Sequence, residues 1–308
     1  MVVSVVVSTR NQASTLPTTV GAILAQEFGG ELELIVVDDA STDETPAIFQ
    51  RLAASNDRRL LLIRSEVGLG AGGGRNLGLN RARGEYVAFT DSDCVPAAGW
   101  IAALLSRFDS PRVGIVQGRT TATEEQSPLF SHYIVTSQLD GSYSTSNVVY
   151  RIEALAARRF DPAIVYWEDV DLAWRVLDDG WESRFAPEAL VRHQVIPITA
   201  LRWILWPRKF GYYPAKAARY PGFRRHLFLR LWVSPIHFWF DLAVLGLLLA
   251  VLNRWALLLL IPYLVELVRT RGFSGRFPPA KAAAHIAWDA VALGALLVGS
   301  ARYRSLVL

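Results

Sequence analysis

Residues 86–93 read Tyr86-Val87-Ala88-Phe89-Thr90-Asp91-Ser92-Asp93, an apolar tetrapeptide running into polar residues and two acids. A short apolar run bounded in this way is a buried strand that delivers polar side chains to one rim of a sheet. The pattern recurs upstream. Val2–Ser8 is β-branched and leads into Thr9-Arg10-Asn11, Leu32–Val37 leads into Asp38-Asp39, and Leu60–Arg64 is a third strand. Helices are expected between them over Leu16–Gln26, Asp43–Ala54 (with Ser41 or Thr42 as cap) and Gly74–Ala82, and after them over Trp100–Phe108. Apolar strands alternating with helices predict an α/β fold whose sheet is mostly parallel and covered on both faces. Further on, strands are expected at Val113–Gln117 and Ser146–Tyr150, and a helix over Asp169–Asp178.

With 308 residues, 52% of them hydrophobic and 19% charged, the chain has ample material for a core. Disorder and a disulfide-stapled miniprotein are excluded. One cysteine, Cys94, cannot form an internal disulfide and suits a reducing compartment. The net charge of +4 hides an asymmetry: residues 1–200 carry −8 and residues 201–308 carry +12. An acidic front disfavours a nucleic-acid surface there, since phosphate contacts need clustered bases. The composition divides the chain into 1–198, an interfacial segment 199–230 rich in aromatics and bases, and a greasy tail 231–308.

Open parallel sheets bind ligands beyond the carboxyl ends of their strands. Three polar clusters fall there: Ser8–Asn11, Asp38-Asp39 and Asp91–Asp93. One Asp in such a place serves as a cap or turn former, whereas three clusters on one rim point to a shared site. Asp91 and Asp93 repel each other unless a cation lies near, and a hard divalent cation takes carboxylate oxygens while leaving room for phosphate. A turn with solvated acids is the plainer alternative. Gly68–Gly73 fits G-x-G-x-x-G, but it follows the third strand, so a dinucleotide site is not expected. Flexible glycines before Arg75 suit a close approach to a diphosphate, with a surface turn as the alternative. Asp169, beside Trp167 near a helix start, suits a general base for a hydroxyl, and equally an acid complementing the helix dipole. His193 is either structural or a neutral imidazole ligand to a metal.

Together Val3–Asn11, Leu34–Asp43, Gly68–Gly78, Gly84–Asp93 and Trp167–Arg175 resemble, in order, five motifs of the family 2 glycosyltransferases. The resemblance implies a GT-A type, Rossmann-like α/β fold and a nucleotide-sugar-dependent transferase. It implies that Ser8, Arg10 and Asp39 line the nucleotide base and that Arg75 lies near the diphosphate. Asp91 then lies near the ribose and metal, Asp93 binds the metal, His193 completes that site, and Asp169 is the base. Ser8 stands where the family often has Pro, and Arg10 where it often has an aromatic. The implied reaction moves a sugar from a nucleoside-diphosphate sugar to a hydroxyl. A divalent cation (Mg or Mn) acts as Lewis acid, and one base with one in-line displacement inverts the anomeric centre. A non-catalytic membrane scaffold that keeps sugar-nucleotide binding is the competing reading, which the set Asp39, Asp91, Asp93 and Asp169 speaks against.

Three apolar stretches follow: Leu231–Leu252, Trp255–Val268 and Ala282–Ala301. The first has the length to cross a hydrocarbon core of about 30 Å. The second is short or re-entrant, and the third is long enough but holds His285 and Asp289. The acids Asp241, Glu266 and Asp289 are expected to face protein or the interface. The apolar start has no basic n-region and does not read as a signal peptide. A multi-pass protein of the cell membrane is therefore expected, with its catalytic domain on the cytoplasmic face. Arg224, Arg225, Arg230, Arg269, Arg271, Arg276 and Lys281 would lie inside and Asn253-Arg254 outside. Such a location implies a lipid-linked or glycan acceptor, as in cell-envelope polysaccharide biosynthesis.

Overall fold

The structure, a computed structural model, describes residues 1–124, 128, 130–164, 166–271 and 279–308; Arg276 lies outside them. The chain forms two compact units, one of Met1–Ser127 with Tyr133–Ile196, the other of Pro128–His132 with Pro197–Leu308. In chain order the elements of the first unit are β1 (Val2–Thr9), α1 (Leu16–Leu24), β2 (Glu31–Asp39), α2 (Thr45–Ala54), β3 (Leu60–Ser65), α3 (Gly70–Leu79), β4 (Tyr86–Phe89), β5 (Cys94–Pro96), α4 (Trp100–Leu105) and β6 (Val113–Ala122). After β7 (Ser131–His132), which belongs to the second unit, come β8 (Val148–Arg151), α5 (Ile152–Leu155), α6 (Glu168–Asp178) and β9 (Glu182–His193). β10 (Ile196–Pro197) closes this part of the chain.

Eight strands form one sheet in the order β3-β2-β1-β4-β8-β6-β9-β5. β3, β2, β1 and β4 are parallel, β8 is antiparallel to both its neighbours, and β6 runs parallel to β9. The central strands β1, β2 and β4 are apolar on both faces, which is why they are almost wholly buried. In β2, Leu34 and Val36 pack with α1, α2 and α4 residues, while Ile35 and Val37 pack with α3 and α6 residues on the other face. Each such side chain contributes about 1.5–3 kcal/mol through burial. The parallel register sets Thr9 opposite Asp38 and Asp39 opposite Ser65, so three strands end level; β4 stops opposite Val6, and Thr90–Asp93 carries on toward that rim.

Two expectations change in detail. α3 begins at Gly70, not Gly74, so most of the glycine run is the first turns of a helix and not a flexible loop. Close packing is the reason: a Cβ at Gly74 would collide with the Ser8 hydroxyl, and one at Gly78 with Val6 and Val37. The tail differs more. The second unit holds α7 (Ala200–Leu205), α8 (Tyr213–Arg219), α9 (Pro235–Leu249), α10 (Leu260–Thr270) and α11 (Pro279–Tyr303). The first apolar stretch is helical only over the 15 residues of α9, about 22 Å, because Leu229 and Arg230 take left-handed backbone in a turn that bridges Phe228 to Trp232. The second stretch splits into a 3-10 turn, Arg254–Leu259, and α10. Among the described residues α11, with 25 residues, is the helix long and apolar enough to cross a membrane. The tail acids all have partners: Trp232 donates to Asp241, Arg269 pairs with Glu266, and Tyr263 and Arg271 donate to the fully buried Asp289.

One buried charge supports the start of the sheet. Glu33 accepts from the Ser4 hydroxyl at 2.6 Å, from the Arg83 amide at 3.0 Å and from Arg83 Nε at 2.7 Å. Burial raises its pKa, but the Ser4 and Arg83 bonds outweigh this and hold the carboxyl below its ordinary range. Glu33→Ala is expected to lower unfolding free energy by about 2 kcal/mol at pH 7, read by urea denaturation. A depressed folded pKa stabilises above the unfolded value of about 4.3 and is lost as pH falls through the folded value. The gap between wild type and variant should therefore narrow on acidification; a widening gap would contradict the assignment.

Candidate active site

The carboxyl-end rim is assembled from β1, β2, the segment after β4, α3 and α6. Ser8 sits at the end of β1, half-buried against α3. Asp39 is buried at the end of β2, and its two oxygens accept from the backbone amides of Leu69 (2.6 Å) and Gly70 (2.9 Å). It therefore fixes the start of α3, and the exposed Arg10 guanidinium lies 3.9 Å away.

Arg75, from the second turn of α3, is buried between two acids. Its Nη2 donates to Asp91 Oδ1 at 2.9 Å and its Nη1 to Glu168 Oε1 at 2.7 Å. Burial pulls the guanidinium pKa down, but Asp91, Glu168 and Asp169 overcome this and raise it. Both terminal nitrogens are thus engaged by carboxylates, so Arg75 braces the rim. From sequence Glu168 is, with Asp171, only an alternative to Asp169 as base, and its bond to Arg75 is not foreseen. The signal was available only in three dimensions, because 93 residues separate the partners.

Asp91, Asp93, Cys94 and His193 each bring a ligand atom within 4.8 Å of the others. Cys94 on β5 pairs directly across from His193 on β9, and residues opposed in antiparallel strands share a face. That register, invisible in the sequence, adds Cys94 to the predicted set. The His193 ring Nδ1 lies 2.8 Å from the Gln194 carbonyl. A carbonyl only accepts, so Nδ1 carries the proton and Nε2 is the acceptor nitrogen of the neutral ring. Nε2 faces Asp93 Oδ1 at 3.8 Å. Burial raises the Asp93 pKa, His193 lowers it and Asp91 raises it again; the net shift is upward. The Cys94 thiol is pushed well up by burial and then by the two acids. A carboxylate pair and an imidazole nitrogen held in this way fit a divalent cation, with the thiol as a neutral neighbour.

α6 starts beside this cluster. Trp167 precedes it with φ of 72°, an unusual backbone for a bulky residue, and such outliers gather at functional sites. Of the three acids in the first turn, Glu168 is held by Arg75 and Asp171 by Arg175 at 2.8 Å. The Asp169 carboxylate accepts from the Val170 amide and interacts electrostatically with Arg75 and with the buried Tyr150 phenol. The structure therefore gathers Asp91, Asp93 and His193 in one cluster, with Arg75 joined to Asp91. Ser8, Arg10 and Asp39 lie at the neighbouring strand ends.

Comparison with known proteins matches residues 4–167 to the family described as Glycosyl transferase family 2, and residues 86–268 to Glycosyl transferase family group 2. The pre-mycofactocin glycosyltransferase of Mycobacterium tuberculosis is 33% identical over 207 residues, which cover 62% of this chain and 42% of that protein. The UDP-Glc:alpha-D-GlcNAc-diphosphoundecaprenol beta-1,3-glucosyltransferase WfaP of Escherichia coli is 37% identical over 91 residues, covering 30% of this chain and 35% of that one. The chain thus spans less than half the length of either relative. A mannosyltransferase from Pyrobaculum calidifontis, solved with GDP-Man and Mn2+, superposes with a TM-score of 0.60 at 20% identity, over 98% of this chain and 86% of that one.

Removing the brace should be costly. Arg75→Met leaves Asp91 and Glu168 facing each other without their cation, and a loss of about 3 kcal/mol in urea unfolding is expected. Adding Glu168→Gln to Arg75→Met should recover part of it. Strict additivity of the two substitutions would show that the residues do not act as a unit.

Proposed function

Because the chain belongs to glycosyltransferase family 2 and has a GT-A type α/β fold, we propose that it moves a sugar from a nucleoside-diphosphate sugar to an acceptor hydroxyl with inversion. The supporting observation is the cluster of Asp91, Asp93 and His193 at the strand-end rim, beside the α6 start that carries Asp169. Asp93 and His193, with Asp91 adjoining, would hold a Mg or Mn cation. When bound, that ion offsets the charge developing on the leaving diphosphate. His193 is set for this by its Nδ1 contact to Gln194, which leaves Nε2 for the metal. Ser8, Arg10 and Asp39 serve the nucleotide, with Asp39 acting through the α3 start that it caps. Asp169 takes the proton from the acceptor hydroxyl as the hydroxyl attacks the anomeric carbon from the far side. One base and one displacement invert the centre. Glu168 and Asp171 are poorer bases here because arginines already hold them.

The acceptor is proposed to be lipid-linked or a membrane-delivered glycan. The name of the Escherichia coli relative includes a diphosphoundecaprenol substrate, and the second unit supplies an apolar helix of membrane-crossing length. The catalytic unit then belongs on the cytoplasmic face of the cell membrane; the multi-pass arrangement expected from hydropathy would need α9 or α10 to cross as well, and with 15 and 11 residues both are short for that. A cysteine introduced at the exposed Glu66 should resist an impermeant thiol reagent in intact cells; ready labelling would place the unit outside.

Two measurements test the chemistry. Mn2+ binding, followed by loss of the free-ion paramagnetic resonance signal in the presence of nucleoside diphosphate, should be abolished in Asp93→Ala; equal binding would remove Asp93 from the site. Asp169→Asn should keep that binding and lose about 10²-fold or more in kcat for sugar transfer. Wild-type protein that binds sugar nucleotides yet releases no nucleoside diphosphate with any donor would favour the scaffold reading.

A further inference from the structure

The second unit contains a helical hairpin made of α9, the turn Arg254–Leu259 and α10. Its inner side is ordinary: Ile236, Phe240 and Ala243 of α9 pack with Tyr263 and Leu267 of α10. Its outer side is not. On α10 the exposed apolar residues are Ile261, Leu264, Val265 and Val268, each 48–60% accessible. That spacing of three, four and seven makes one stripe along the helix. The buried face of the same helix holds Tyr263, Leu267 and Glu266, the last paired to Arg269. An aliphatic stripe facing outward, opposite a face that is already packed, is not the arrangement of a water-facing helix. The stripe continues onto the end of α9 and the turn, where Leu248, Val251 and Leu252 are 68–89% accessible. A contiguous patch of this kind marks an interaction surface.

Charge identifies its occupant. Arginines bound the stripe at both ends. Arg254 lies over the Trp255 ring at 5.5 Å, and Arg269 is largely exposed while paired to Glu266. Residues 201–308 carry a net charge of +12. A second copy of so basic a unit would be repelled, whereas an anionic lipid leaflet would attract it, with Arg254 at the edge of the stripe as the local contact. Length argues against crossing. α9 spans about 22 Å, its first half is packed inside the unit, and the turn exposes Asn253 and Arg254. We propose that the outer face of this hairpin lies in the plane of one anionic lipid leaflet. Its aliphatic stripe is then sunk among the acyl chains, with Arg254 and Arg269 at the headgroups. The proposal rests on the membrane part of the function above and is independent of the transfer chemistry.

The test uses the full chain and vesicles of phosphatidylcholine with or without phosphatidylglycerol. Flotation should favour the anionic vesicles. Leu264→Asp with Val265→Asp should weaken the partition about 100-fold or more, as expected for two apolar side chains withheld from lipid. That variant should keep Mn2+ binding at the catalytic unit, which reports folding. A second variant, Leu264→Cys carrying an environment-sensitive fluorophore, should shift to the blue on anionic vesicles and be quenched by lipids spin-labelled at shallow depth. An unchanged spectrum would overturn the proposal. So would a concentration-dependent dimer that buries position 264 without lipid, or labelling of Asn253→Cys from the lumen of sealed vesicles. Loss of sugar transfer with vesicle binding intact would defeat the catalytic reading alone.

Discussion

The guanidinium of Arg75 is the contact on which the rim depends. It joins Asp91, just beyond β4, to Glu168, the first residue of α6, and it does so from α3. Three elements that no local interaction would align are thus fixed around one buried cation. Such a pair is weak evidence for net stability, because removing charge from water costs nearly as much as the pairing returns. Its contribution is placement. With Arg75 in position, Asp169 lies in the first turn of α6 within electrostatic reach of the guanidinium, and the neighbouring acids of that turn are held by arginines.

The same division of labour appears around Asp39 and His193. Asp39 is bonded by two backbone amides, so an acid read as a ligand contact also holds the glycine-rich start of α3. The imidazole of His193 is oriented by a carbonyl on one nitrogen and presents the other to the acids. In both cases the residue that would meet a ligand is positioned by main chain, the most rigid partner available.

Much of this was legible in the sequence because parallel strands buried on both faces leave an unmistakable apolar run ending in polar residues. Val2–Thr9, Glu31–Asp39 and Tyr86–Phe89 announce themselves this way, and their ends carry Asp39, Asp91 and Asp93 to one rim. What was hidden depends on contacts between distant segments. Cys94 joins the cluster through cross-strand register with His193, and Glu168 enters through its partner on α3. Hydropathy alone also misjudged the tail. Leu231–Leu252 scores as one span, but the turn at Leu229 and Arg230 and the proline at position 235 delay the helix.

The composition of α3 has a consequence for how the molecule comes into being. Gly70, Gly72, Gly73, Gly74 and Gly78 make up half of this ten-residue helix, and each disfavours helix by about 1 kcal/mol relative to alanine. Such a segment has no helical tendency of its own; it becomes helical only against strands already in place, where the missing side chains permit contact with Ser8, Val6 and Val37. The order of events follows. The sheet is expected to condense first, with α3 laid on it late and Arg75 reaching its two carboxylates at the end. Amide protons of residues 70–79 should accordingly gain protection after those of β1 and β2 in pulsed hydrogen exchange, and simultaneous protection would refute this order. Catalytic competence would then be the last property the folding chain acquires.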